Sequence, residues 1–136
     1  MQKDKGVVYL HLVWTTWDRL PLIEPEQENA LFDCLANTAT KHGCQIVAIN
    51  GMADHVHLLL SIPPTQAVSS LVQQIKGVSS HFMNHQFPDS PTFKWRGSYA
   101  AFSISRWDVH KVAQYIRNQK AHHTDNSTID QLESDE

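Results

Sequence analysis

No apolar run in this 136-residue chain approaches the ~18 residues that a membrane-spanning helix needs, so no membrane role is expected. Cysteine is scarce. Cys34 and Cys44 form neither a C-x-x-C pair nor a disulfide framework, and they read as small apolar fillers in a protein suited to a reducing cytoplasm. The N-terminal MQKDKG runs into VVYLHLVW without the small-residue cleavage pattern of a secretory signal, and reads as the approach to a strand. There is no Walker loop and no Gly-x-Ser-x-Gly elbow, which excludes the P-loop route to phosphate chemistry and the usual serine-hydrolase nucleophile. Internal repeats and low-complexity linkers are also missing.

What remains is an ordinary soluble composition, 41% apolar and 18% charged, at a length that fits one core. The net charge of −3 argues at first against a nucleic-acid partner, but its distribution argues otherwise. The last 13 residues, TDNSTIDQLESDE, carry five acids and no base, and without them the net charge is +2. Between Lys76 and His123 seven bases face two acids. That half can present a positive surface to phosphate.

Residues 7–16, VVYLHLVWTT, have the β-branched and aromatic content of a strand. A helix is predicted from Pro25 to Gly43, with acids in its first turn and glycine at its end. CQIVAING is a second strand closed by an Asn-Gly turn signal, and MADHVHLLLSI is its antiparallel partner. A second helix spans about residues 66–87, with Val68, Leu71, Val72, Ile75, Val78 and Phe82 at helical spacing. SYAAFSIS is a fourth strand, and WDVHKVAQYIRNQKAHH a third helix. This order reads as α+β, an antiparallel sheet with helices on one face. The domain is expected to span residues 1–123, followed by an acidic, disordered tail over 124–136.

The segment DHVHLLLSI holds the chemistry. Alternation sends His55, His57 and Leu59 to one face and Val56, Leu58 and Leu60 to the other. If the helices cover the aliphatic face, the histidine face needs another cover or a ligand. With 9 histidines in the chain, roughly 0.6 His-x-His pairs arise by chance, so the pair needs support from elsewhere. The third helix offers it. Val109, Val112, Ala113 and Ile116 form a docking stripe, while Tyr115 and Gln119 lie four residues apart on a neighbouring face, flanked by Arg117 and Lys120. His122 continues that face. A divalent metal held by two imidazoles and an amide oxygen keeps open positions for a phosphate, which a tyrosine hydroxyl can attack.

DHVHLLL, FKWRGSYAAFSIS and VAQYIRNQKAHH, in that order, resemble the single-tyrosine HUH transposases of the smallest bacterial insertion sequences (IS200-like) and their REP-associated relatives. YLHLVWTT with RLPLI, and LVQQIKGVSS, extend the likeness over about residues 7–123. The resemblance implies a ferredoxin-like domain with a C-terminal catalytic helix. It implies Mg²⁺ or Mn²⁺ on His55, His57 and Gln119, with Tyr115 as the nucleophile that leaves a 5′-phosphotyrosine and a free 3′-OH. It also implies single-stranded DNA with hairpins at element ends as substrate, and a homodimer in which one chain's tyrosine can complete the other's site. The acidic tail and Ala53, where many relatives have proline, depart from the family's pattern.

Phe93, Lys94, Trp95, Arg96 and Tyr99 interleave aromatics with cations. They either stack unpaired bases or bury their rings at a strand entry. Lys76, Lys94, Trp95, Arg96, Arg117 and Lys120 are the DNA-contact candidates, and Trp14 and Trp17 read as core or interface. His81 and His85 lack the glutamate of a zinc-protease helix. Two other functions fit the residues. One is a domesticated HUH nuclease acting on repeat hairpins. The other is a non-catalytic RRM-like single-strand binder, which needs exposed aromatics on its central strands.

Overall fold

In a computed structural model, which describes residues 6–120, the chain folds as β1 (Val8–Thr15), α1 (Glu28–Lys41), β2 (Gln45–Met52), β3 (His55–Ile62), α2 (Val68–Gln86), β4 (Ala100–Ile104) and α3 (Val109–Arg117). The expected third helix beyond Lys120 and the acidic tail lie outside the described residues. The four strands form one antiparallel sheet in the order β2-β3-β1-β4, the ferredoxin-like α+β arrangement. Among the described residues no helix is long and apolar enough to cross a membrane.

Each strand pairing has two faces with different tasks. Leu10, Leu12 and Trp14 of β1 and Val56, Leu58 and Leu60 of β3 pack under Leu31 and Leu35 of α1 and Leu71 and Ile75 of α2. Removing each such side chain from water contributes about 1.5–3 kcal/mol. On the opposite face, Leu59 and Ala48 pack against Val112, Ala113, Tyr115 and Ile116 of α3. The cover demanded by the histidine face is therefore α3, on its own side of the sheet.

Local signals decide the element ends. Gly43 closes α1 at φ +84°, the left-handed C-terminal conformation that glycine adopts without steric cost. The Asn-Gly pair behaves otherwise than expected. β2 runs through Asn50 and Gly51 to Met52, and the turn falls at Ala53–Asp54. Gly51 is needed for close approach: a Cβ there would overlap the carbonyl oxygen of His55 on the neighbouring strand. On α2 the buried row is Leu71, Ile75, Ser79 and Met83, and Val78 is exposed. Ser79 tolerates burial because its hydroxyl donates to the Ile75 carbonyl at 2.6 Å and accepts from Trp95 Nε1 at 2.9 Å.

Cys44 is buried and Cys34 partly so, and burial pushes both thiols above their usual range. Cys44 should therefore resist alkylation in the native protein and react once urea unfolds it. Equal labelling in both states would contradict this packing. Gly51→Ala should cost about 1–3 kcal/mol of stability, read as a lower urea midpoint, since backbone must yield to admit the methyl group.

Candidate active site

The site is assembled by strand register. β1 and β3 align Thr15 with His55 and Val13 with His57, and β2 brings Asn50 opposite His57. His55 and His57 are both buried, with ring centroids 5.1 Å apart and planes at 77°. Each has its Nδ1 engaged. His55 Nδ1 is 2.8 Å from Asp54 Oδ1, and Asp54 Oδ2 accepts from Arg19 Nε at 3.3 Å. The hydrogen bond to His55 holds the Asp54 carboxyl below its ordinary value, against the effect of burial and with help from Arg19. His57 Nδ1 is 2.8 Å from His11 Nε2, deep in the sheet, with the two rings stacked at 5.1 Å and 23°.

This pattern fits a pair of metal ligands. A ligating histidine uses one nitrogen for the ion and the other for an anchor that fixes tautomer and ring orientation. With both Nδ1 atoms anchored, Nε2 would be the ligating atom on each ring. A carboxylate on Nδ1, as at His55, is one of the usual anchors. In that tautomer His57 donates Nδ1–H to His11 Nε2. Among the described residues no group of three His, Cys, Asp or Glu could hold an ion, so a third protein donor would come from outside that set, and the buried amide of Gln119 is the candidate. Imidazole nitrogen with amide oxygen is a mixed set that admits Mg²⁺ or Mn²⁺.

The last helix closes the site. The Tyr115 ring lies 6.4 Å from that of His57 in the same chain, edge to face at 78°, and is 6% exposed. α3 ends at Arg117, Asn118 leaves helical geometry at φ −97° and ψ 21°, and the helix resumes at Gln119. Tyr115 and Gln119 thus do not share one unbroken helix, yet Gln119 is fully buried. Polar bonds clasp this end to β2. Asn50 Nδ2 donates to the Arg117 carbonyl at 3.1 Å, and Arg117 Nη2 donates to the Val47 carbonyl at 3.2 Å. Lys120 Nζ reaches Asn50 Oδ1 and the Gly51 carbonyl, each at 3.1 Å, and Glu28 at 2.9 Å.

The cations expected to meet DNA are thus divided. Arg117 and Lys120 sit in the clasp. Lys76 Nζ binds the carbonyls of Arg96 and Ser98 at 2.6 and 2.8 Å, tying α2 to the approach to β4. The Trp95 ring is buried edge-on to Trp14 and Phe93. Of the two readings weighed for that indole, core burial is the one observed. Lys94 is exposed and Arg96 partly so, on the side of Trp17. His81 and His85 are exposed on α2, their rings stacked at 6.2 Å.

Two supporting residues escaped the sequence reading. Asp54 stood inside the quoted DHVHLLL without a role. His11 was visible as the polar residue on the other face from Leu10, Leu12 and Trp14, the face that β3 fills with histidine. Its diagonal placement beside His57 follows only from the register.

Fold and site define a ferredoxin-like α+β protein in which a histidine pair and a tyrosine meet beneath the last helix. The model of the family "Transposase IS200 like" matches residues 5–119. The ISDra2 transposase TnpA of Deinococcus radiodurans is 32% identical over 127 residues, covering 88% of this chain and 91% of its own length. A solved structure of a D. radiodurans R1 protein classed as a transposase superposes with TM-score 0.68 at 32% identity, covering 88% of this chain and 98% of that one. A REP-associated tyrosine transposase, solved bound to a REP hairpin, superposes with TM-score 0.66 over 90% of this chain and 74% of its own. At 15% identity that likeness speaks for the fold. The chain belongs to the IS200-like transposase family.

The anchoring role of His11 can be measured directly. His11→Phe should weaken Mn²⁺ binding about 10–100-fold in calorimetry, while His11→Gln, whose amide can accept from His57, should recover most of it. Unchanged affinity in His11→Phe would refute the role.

Proposed function

We propose that this transposase nicks and rejoins single-stranded DNA through a covalent bond to Tyr115. The observation that carries the reading is the Tyr115 ring 6.4 Å from His57, within a histidine pair whose Nδ1 atoms are both anchored. When bound by His55, His57 and Gln119, Mg²⁺ or Mn²⁺ would draw negative charge from a scissile phosphate. Tyr115 supplies the nucleophile. Its phenol gives up a proton, Oη bonds to phosphorus, and the P–O3′ bond breaks as the 3′ oxygen takes a proton. A 5′-phosphotyrosine and a free 3′-OH result. Attack by a 3′-OH on that phosphotyrosine restores the phosphodiester and returns the phenol, so rejoining needs no ATP. Asp54 and His11 orient the imidazoles, and the Asn50–Lys120 clasp positions the segment that carries Tyr115 and Gln119.

The substrate in this reading is single-stranded DNA with hairpins at element ends, in keeping with the REP hairpin bound by the structural relative. A homodimer belongs to the same proposal, as the arrangement that lets two DNA ends meet. The alternative of a non-catalytic RRM-like binder finds no support in the sheet. On the relevant face its central strands carry buried His11, His55 and His57, and the aromatics beside them, Tyr9 and Phe102, are only partly exposed.

Incubation with single-stranded oligonucleotides from the flanks of the gene and Mn²⁺ should yield a protein–DNA adduct that survives a denaturing gel. Tyr115→Phe should lose the adduct and keep its affinity for the oligonucleotide. An adduct that persists in Tyr115→Phe would disprove the assignment of the nucleophile.

A further inference from the structure

Beside the histidine pair the chain makes an uncommon turn. Asp18 and Arg19 both adopt positive φ, 53° and 52°, a left-handed region that non-glycine residues rarely enter and that is over-represented at binding sites. The backbone around them is pinned on three sides. Trp17 N–H donates to the Lys94 carbonyl at 2.9 Å, Thr16 N–H to the Asp54 carbonyl at 2.9 Å, and Arg96 N–H to the Thr15 carbonyl at 3.0 Å. The outcome is an indole held outward. Trp17 is 49% exposed, whereas Trp14 and Trp95 are buried in the core. Lys94 Nζ lies 3.9 Å from the Trp17 ring centroid. Trp17, Asp18, Arg19 and Arg96 line a cleft of about 630 Å³.

Charge selects the occupant. Arg19, Lys94 and Arg96 outnumber the two nearby acids, Asp18 and the Asp54 that Arg19 pairs with, so the cleft suits an anion that also offers a flat apolar surface. An unpaired nucleotide has both. A duplex conceals the faces of its bases, a basic peptide would meet like charge, and a neutral one would leave the cations without a counter-charge. Position points the same way, because one carboxylate joins the cleft to the histidine site. Asp54 accepts from Arg19 through Oδ2 and lies 2.8 Å from His55 Nδ1 through Oδ1.

We infer that this cleft is a subsite for one unpaired nucleotide flanking the scissile phosphate. Its base stacks on the Trp17 indole, and the adjoining phosphates meet Lys94 and Arg96. The placement of the phosphate rests on the nicking reading above, whereas the stacking does not. A cation over one ring face leaves the other for the base, and stacking with ion pairing is how sequence-tolerant single-strand sites work.

The test uses the full chain and a fluorescein-labelled single-stranded oligonucleotide from the flanks of the gene, with an abasic nucleotide moved one position at a time. Binding is read by anisotropy. Trp17→Ala should lose about 5- to 150-fold in affinity, the range for one stacked base, and Trp17→Phe, with its smaller ring, should lose less. One abasic position should weaken the native chain and leave Trp17→Ala indifferent. That position should neighbour the bond cut in the adduct assay. Unchanged affinity in Trp17→Ala, an abasic penalty equal in both proteins, the same Trp17 dependence on a duplex, or no binding of the single strand would each overturn the subsite. Because anisotropy needs no cleavage, a missing adduct alongside a Trp17-dependent base would defeat the nicking mechanism and the flanking position while leaving the stacking site intact.

Discussion

The antiparallel pairing of β1 with β3, in the register that sets Val13 against His57, is the constraint on which the site rests. A slip of one residue would turn every side chain of a strand to the other face. His55 and His57 would then enter the aliphatic layer beneath α1 and α2, and Leu58 and Leu60 would face α3. The slip is prevented from the other side of the sheet. Leu12, Trp14, Val56, Leu58 and Leu60 are fully buried, and moving that row out of the core would forfeit several times the ~1.5–3 kcal/mol that each contributes. The apolar face thereby supplies the precision of the polar one. Two imidazoles alone would have too little energy to choose a register.

The tyrosine is held by weaker means than the histidines. His55 and His57 belong to the central strands, whereas Tyr115 rides on a helix of nine residues whose apolar anchorage is limited to a small cluster around Leu59 and Ala48. The remaining attachment is polar, through Asn50, Arg117 and Lys120. Partly exposed bonds and ion pairs of this kind contribute little each, about 0–1 kcal/mol. The histidine pair and the proposed nucleophile therefore belong to layers of different firmness. Under the proposed mechanism this suits a site that would hold a cation in fixed geometry and still admit a strand of DNA to a buried phenol.

The same division accounts for where the basic residues went. Charge counting along the second half of the chain finds cations in abundance, but a lysine near a carbonyl oxygen can serve the fold as well as a phosphate. Lys76 ties α2 to the entry of β4, and Arg117 and Lys120 fasten α3. Lys94 and Arg96 stand at the outward turn with Trp17. Exposed aromatic surface and positive charge coincide there, beside Asp54.

What the sequence determined by itself is whatever follows from period and order. Alternation in YLHLVW and DHVHLLLSI separated an aliphatic face from a histidine face, and the succession of elements implied an α+β sheet with a final helix bearing Tyr115. These are properties of neighbouring residues, and neighbouring residues suffice to read them. Tertiary structure decided whatever depends on which strand lies beside which. It brought His11 to His57, put Gly51 against the backbone of His55 where its pairing with Asn50 suggested a turn, and buried Ser79 in place of Val78 because Trp95 offers its hydroxyl a partner. It also broke the last helix at Asn118 while keeping Gln119 buried. Local pattern records what a side chain is able to bond, and only the packed chain settles which partner comes within reach.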